Sequence, residues 1–207
     1  MNHPEATAQA LAILRKGDHF QWSLIFCLVL VLFLYFSEVS KKNWKGIAAG
    51  LSLYAIHWLY EIGNALIQHF SGHALWTVPT GTSLLLLVGV GAELSLMFSI
   101  AGLVSSRLFL DDPKGKVLGI NNRIAFGLGN AALASVLEIF LAQTPAFVWV
   151  YPWWGALPVF VTTYVPFFVV SALCYDWKPK VQVRFIAGLF ALDAVLLAVF
   201  AGFLGWI

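Results

Sequence analysis

The chain has 207 residues, of which 60% are hydrophobic and only 11% charged, with a mean hydropathy of +0.84 and a formal net charge of +2. A soluble domain carries about a quarter charged residues, so the composition excludes one, and nothing in the charge pattern offers a nucleic-acid-binding surface. The apolar residues gather into runs of roughly twenty, the length a helix needs to cross ~30 Å of hydrocarbon, which defines an integral membrane protein.

In chain order, residues 4–16 (PEATAQALAILRK) open with Pro, close before Gly17 and predict a short amphipathic helix lying on the membrane surface. No small-residue cleavage motif separates this stretch from the following apolar run, so it does not read as a signal peptide. Six spans follow, at about 20–40, 46–68, 81–106, 123–143, 153–175 and 182–206. Their breaks carry turn chemistry, among them Ser40-Lys41-Lys42-Asn43, Ser71-Gly72 to Gly81, Asp111-Asp112-Pro113, Thr144-Pro145 and Lys178-Pro179-Lys180. Pro158 and Pro166 bend the fifth span and free carbonyls toward the interior. The expected fold is all-α: one domain over residues 1–207, a polytopic bundle of six transmembrane helices with a short N-terminal amphipathic helix. Cys27 and Cys174 lie in separate apolar spans without a CxxC pairing, which argues against a disulfide or thiolate metal site.

Of the twelve Lys and Arg, ten flank the first, third and fifth loops, and the second and fourth loops hold none. By the positive-inside rule the odd-numbered loops face the cytoplasm and both termini face the non-cytoplasmic side, with only Arg15 and Lys16 opposing. Trp22, Trp76, Trp149, Trp153, Trp154 and Trp206 then form an outer aromatic belt, with Trp44 and Trp177 at the inner interface and Trp58 alone deep in a span.

Against this background five ionisable groups fall in the middle of spans: His57, Glu61, Glu93, Glu138 and Asp193. An acid at the centre of a lipid-embedded helix costs roughly 2.5–3.5 kcal/mol on insertion scales, so each needs a partner or a task. Tyr54, His57, Glu61, Asn64 and Gln68 recur at helical spacing and form one polar stripe on the second span, which must face the bundle. His57 and Glu61, one turn apart, are placed to hydrogen-bond. Glu93 and Asp193 lie about twelve residues into their spans, near mid-membrane. Asn130 shares a helical face with Glu138, and Thr162 and Tyr164 sit beside the proline bend as pocket liners. The plain structural alternative is that these acids are interhelical ties. His69 and His73 read as interfacial loop residues, and Asn121-Asn122-Arg123 as a helix cap.

Metal chemistry finds little support: there is no Glu-x-x-His pair, no HExxH and no histidine box, and His57 is the only deep histidine. No Gly-Lys phosphate loop or Asp-rich diphosphate motif is present. The reading is therefore of no metal and no organic cofactor, and of proton chemistry in an apolar cavity. Glu61 with His57 is expected as base and Glu93 as proton donor, with Asp193 and Glu138 as further acids. Tyr54, Trp58, Asn64, Asn130, Glu138, Thr162 and Tyr164 are expected to line a pocket for a lipophilic small molecule.

His57-x-x-x-Glu61 on the second span with Glu93 on the third resembles the emopamil-binding, sterol-isomerase type of membrane protein. Glu61 with Asp193 on the last span is similar to the small membrane terpene cyclases. The resemblance implies isomerisation or cyclisation of an isoprenoid or sterol-like alkene. Glu138 and the sixth span depart from the isomerase pattern, and the cyclases have a seventh helix that is missing here. The competing expectations are a proton- or cation-coupled transporter or channel, in which mid-membrane acids relay charge, and a non-catalytic lipid or sterol binder.

Overall fold

A computed structural model describes residues 3–18 and 20–207. The chain runs through α1 (Pro4–Ile13), α2 (Trp22–Ser40), α3 (Trp44–Ser71), β1 (Trp76–Thr77), β2 (Leu85–Leu87), β3 (Val90–Gly91), α4 (Ala92–Ser106), β4 (Lys116–Val117), β5 (Ile120–Asn121), α5 (Asn122–Leu141), β6 (Val148–Trp149), α6 (Ala156–Val159), α7 (Val165–Tyr175) and α8 (Pro179–Leu197). Helix dominates; the strands make only three two-stranded ladders, β1–β6, β2–β3 and β4–β5. Among the described residues four rods are long and apolar enough to cross a membrane: Trp22–Ser40, Asn122–Leu141, Ala156–Tyr175 and Pro179–Phe203.

The other two expected spans differ from these for physical reasons. Helix α3 has 28 residues, long enough to cross, but its polar stripe lowers its hydropathy, and it is the buried centre of the bundle, packed against α2, α4, α7 and α8. Helix α4 begins at Ala92, not at residue 81, and the preceding segment is extended, with Leu85 paired to Gly91. The run Leu84–Val88 is short and apolar, a pattern that suits a buried strand as well as a helix. Two glycines decide between them. A Cβ on Gly91 would lie 2.2 Å from Thr82 Oγ1, and one on Gly89 would lie 2.5 Å from Asn64 Nδ2 and from Trp76 Nε1, so backbone packs directly on side chains here.

Helix α1 is also placed differently from expectation. It docks on the protein rather than lying free on a surface: Ala6, Thr7 and Ala10 are buried, the Thr7 hydroxyl accepts from Ala74 N at 3.3 Å, and Arg15 N donates to Leu85 O at 2.9 Å. Ala10, Ile62, Ala65, Leu85, Val90 and Ile207 form one core at this end of the bundle. A second core joins α3, α5 and α7 through Leu53, Ile56, Ala131, Phe167 and Phe168. Outward, α2 shows Phe26, Val29, Phe33 and Phe36, an apolar surface that only lipid covers without cost.

The opposite end is tied by charge. Glu38 accepts from Arg107 Nη2 at 2.5 Å and from Asn43 Nδ2 at 2.7 Å, joining α2, α3 and α4. Arg123 donates to Asp176 at 2.6 Å and lies over the rings of Phe109 and Tyr175, joining α5 to α7. Asn121 caps α5, its side chain accepting from Arg123 N as the sequence predicts. Between Pro158 and Pro166 the rod opens into a π-helical stretch, Phe160–Tyr164. Pro166 has no N–H to offer the Thr162 carbonyl, and one turn earlier the Thr162 hydroxyl donates to Pro158 O at 2.7 Å.

Small residues let α3 and α4 meet closely. A Cβ on Gly102 would lie 2.4 Å from Ala49 O and 2.6 Å from Ser171 Oγ, which itself donates to Ala49 O at 2.7 Å. Gly102→Ala is therefore expected to destabilise by about 1–3 kcal/mol. Gly188→Ala, at a helical position with open space around it, is expected to gain up to about 1 kcal/mol. Thermal unfolding of the two variants in detergent checks this; equal melting temperatures would show that the α3–α4 contact is looser than described.

Candidate functional site

The polar stripe of α3 meets the acid of α5 around one small cavity of about 30 Å³, lined by His57, Glu61, Trp76, Leu94, Phe98, Glu138, Leu141, Phe147, Trp154, Val159, Thr163, Tyr164 and Phe167. Glu61 is 4% and Glu138 6% exposed, so neither carboxyl can rely on solvent.

Each acid is held by an indole from a loop. Trp76 Nε1 donates to both oxygens of Glu61 at 3.2 Å, and Trp149 Nε1 donates to Glu138 Oε1 at 2.6 Å. The two tryptophans are register partners in the β1–β6 ladder, Trp76 opposite Trp149, so one pair of short strands brings both donors to the site. The Tyr164 hydroxyl donates to the second oxygen of Glu138. It reaches that position from the π-helical stretch between the prolines, which gives that stretch a role in the site.

Asn64 fixes the first indole. Its Nδ2 donates to Trp76 O at 2.9 Å and its Oδ1 accepts from Leu75 N at 2.8 Å, so α3 carries both Glu61 and the clamp for the loop that covers Glu61. Gly89 packs against the same three side chains. His57 is stacked on Phe98 at 4.2 Å, with Nε2 3.4 Å from Glu61 Oε1 but not aligned for the hydrogen bond expected between them. Among the described residues, both ring nitrogens of His57, the Thr163 hydroxyl and the Trp154 N–H are buried without a hydrogen-bond partner, and all three residues line the cavity.

The remaining expected site residues lie elsewhere. Glu93 sits at the start of α4, where Thr82 Oγ1 at 2.6 Å, Ser83 Oγ at 2.5 Å and Ser83 N at 2.9 Å donate to it; it borders a separate hollow of about 290 Å³. That hollow shares only Leu94, Leu141 and Phe147 with the cavity, so three apolar side chains part Glu93 from Glu61. Asp193 on α8 is 4% exposed, with neither oxygen bonded, and does not line the cavity. The Tyr54 hydroxyl pairs with Ser95 Oγ at 3.0 Å, and Trp58 packs edge-on to Tyr54 and His57. Asn130 Nδ2 donates to Phe126 O of its own helix at 2.8 Å, and Thr162 is exposed. His69 is no free loop residue: it stacks on Trp206 at 4.7 Å.

The residues that sequence reasoning missed are Trp76, Trp149 and Trp154, assigned there to an outer aromatic belt. The signal that could have found them is the pairing of each loop tryptophan with a span acid that lacks a charged partner. A wider hollow of about 610 Å³, bounded by His3, Glu5, Gln9 and residues 142–155, shares Trp154 with the cavity and has Trp149 in its wall. Two indoles thus separate the buried acids from an open vestibule. Among the described residues no three His, Cys, Asp or Glu converge as a metal site requires.

The fold and the lipid-facing surfaces define a helical integral membrane protein with a buried two-carboxyl site. The chain belongs to a family described as an uncharacterized membrane protein family, whose model matches residues 4–202. It is 41% identical over 208 residues to an uncharacterized protein of Archaeoglobus fulgidus, covering 98% of this chain and 99% of that one. No solved structure matches it.

Asn64→Leu keeps the branched outline of the side chain but leaves Leu75 N and Trp76 O without their Asn64 partners. It is expected to destabilise by roughly 2–4 kcal/mol, lowering the melting temperature in detergent by roughly 5–15 °C. Gln68→Leu, on the same stripe, is expected to shift it little; the same loss in both variants would mean that Asn64 is not the clamp.

Proposed function

We propose that this protein takes up and releases protons at the Glu61–Glu138 pair, reached through the vestibule behind Trp149 and Trp154, as a proton-coupled transporter or channel. The observation that carries this reading is two carboxyl groups, from α3 and α5, facing one water-sized cavity. Two negative charges in so small and apolar a space repel strongly, and one proton between them removes that repulsion. The volume supports a small guest. About 30 Å³ takes one or two water molecules, whereas a drug-sized or isoprenoid ligand needs several hundred Å³. The unpartnered His57, Thr163 and Trp154 groups supply donors and acceptors for such a guest. In this reading Glu93 is an α4 anchor rather than the proton donor, and Asp193 is a further carboxyl able to take a proton.

A second reading, the acid–base enzyme for an isoprenoid or sterol-like alkene, draws support from the aromatic wall. Trp76, Phe98, Phe147, Trp154, Tyr164 and Phe167 surround the acids, and such faces stabilise a carbocation. It requires the cavity to widen around the substrate.

The test is proton uptake by proteoliposomes carrying an internal pH dye, under an imposed pH gradient and membrane potential. Wild type is expected to conduct above protein-free vesicles. Glu138→Gln and Glu61→Gln each are expected to lower the rate at least tenfold, and Glu93→Gln less than twofold. Wild-type rates no different from empty vesicles would overturn the transport reading. A co-purifying isoprenoid, altered in mass by Glu61→Gln or Glu138→Gln, would establish the enzyme in its place.

A further inference from the structure

A groove of about 910 Å³ runs between α3 and α8 at the end of the bundle opposite the Trp76–Trp149 ladder. Its walls are apolar along the helices, reaching Leu51 on α3 and Phe190 on α8. Phe190 lies eleven residues beyond Pro179, about 16 Å along the axis at 1.5 Å per residue. A hydrocarbon chain of roughly one leaflet's depth fits that run. At the mouth stand Lys42, Lys45, Trp44 and Trp177, two ammonium groups and two indoles at the helix starts.

The lysines are not used up by the protein. Lys41 pairs with Glu38 at 3.7 Å, but neither Lys42 nor Lys45 has an acidic partner among the described residues. Lys45 Nζ lies 5.7 Å from the centre of the Tyr175 ring, which positions it without neutralising it. Lys42 holds φ +57°, a left-handed conformation that glycine or asparagine adopts at lower cost, so the backbone gives no reason for a lysine there. Unneutralised ammonium groups beside interfacial indoles, above an apolar channel, are complementary to one kind of molecule. It has a negative head and a hydrocarbon tail.

We propose that this groove seats one membrane lipid with an anionic phosphate headgroup, its phosphate at Lys42 and Lys45 and one chain lying along α3 and α8. The site is separate from the carboxyl cavity and stands whether or not that cavity moves protons. Each lysine near an anionic lipid surface contributes about 1 kcal/mol, a factor of about five in affinity.

The test is native mass spectrometry of the detergent-solubilised protein titrated with phosphatidylglycerol or with phosphatidylcholine of the same chains. The first phosphatidylglycerol is expected to bind at least tenfold more tightly than the first phosphatidylcholine. Lys42→Gln/Lys45→Gln is expected to weaken it about twenty-five-fold, five per lysine, with an unchanged melting temperature. Ala187→Trp, which fills the channel, is expected to weaken both lipids. Lys114→Gln/Lys116→Gln, at the same end but outside the groove, is expected to change neither. Equal binding of the two lipids by wild type would overturn the proposal. So would an equal loss in the control pair, which would show diffuse surface attraction, or a lipid-free dimer that buries the groove.

Discussion

A helix that carries His57, Glu61 and Asn64 on one face cannot present that face to hydrocarbon, and much of the architecture answers that constraint. Helix α3 is wrapped by α2, α4, α7 and α8, and the small residues of its first half, Gly46 to Ala55, let those neighbours close on it. The cover over the second half comes from loops. The Trp76 strand, held down by Asn64, and the Gly89 turn lie on the stripe where a helix would be too bulky to approach. The shortness of α4 follows from the same demand, because residues 81–91 serve as that cover instead of as a span.

The stripe was legible in the sequence because period 3.6 concentrates scattered polar residues on one line, and no other arrangement explains them. The irregular helix between the prolines and the Asn121 cap were legible because each rests on a local backbone rule. What the sequence hid is the long-range pairing. Glu93 reads as mid-membrane only if residues 81–91 are helical; they are extended, so it is a terminal residue fastened by Thr82 and Ser83. Trp76 and Trp149 read as belt residues, since a loop tryptophan at an interface needs no further reason. Only the β1–β6 ladder, between segments 72 residues apart, shows that they reach the acids. The likeness to sterol isomerases rested on His57, Glu61 and Glu93 meeting, and the fold brings the first two together with Glu138 instead.

Two pairs of acids in this chain differ in what holds them. Glu38 and Asp176 are bonded to Arg107 and Arg123, fixed cations that would be left unpaired if the carboxyl were neutralised. Glu61 and Glu138 are held by indole N–H groups and a phenol, which are neutral in either protonation state of the acid. A charge-paired carboxyl is locked into one state, and these two lie at the lysine-bearing end, where they tie helices together. A carboxyl held by neutral donors has no cation that its neutralisation would leave unpaired. The pair at the cavity is therefore held in place without a fixed cation.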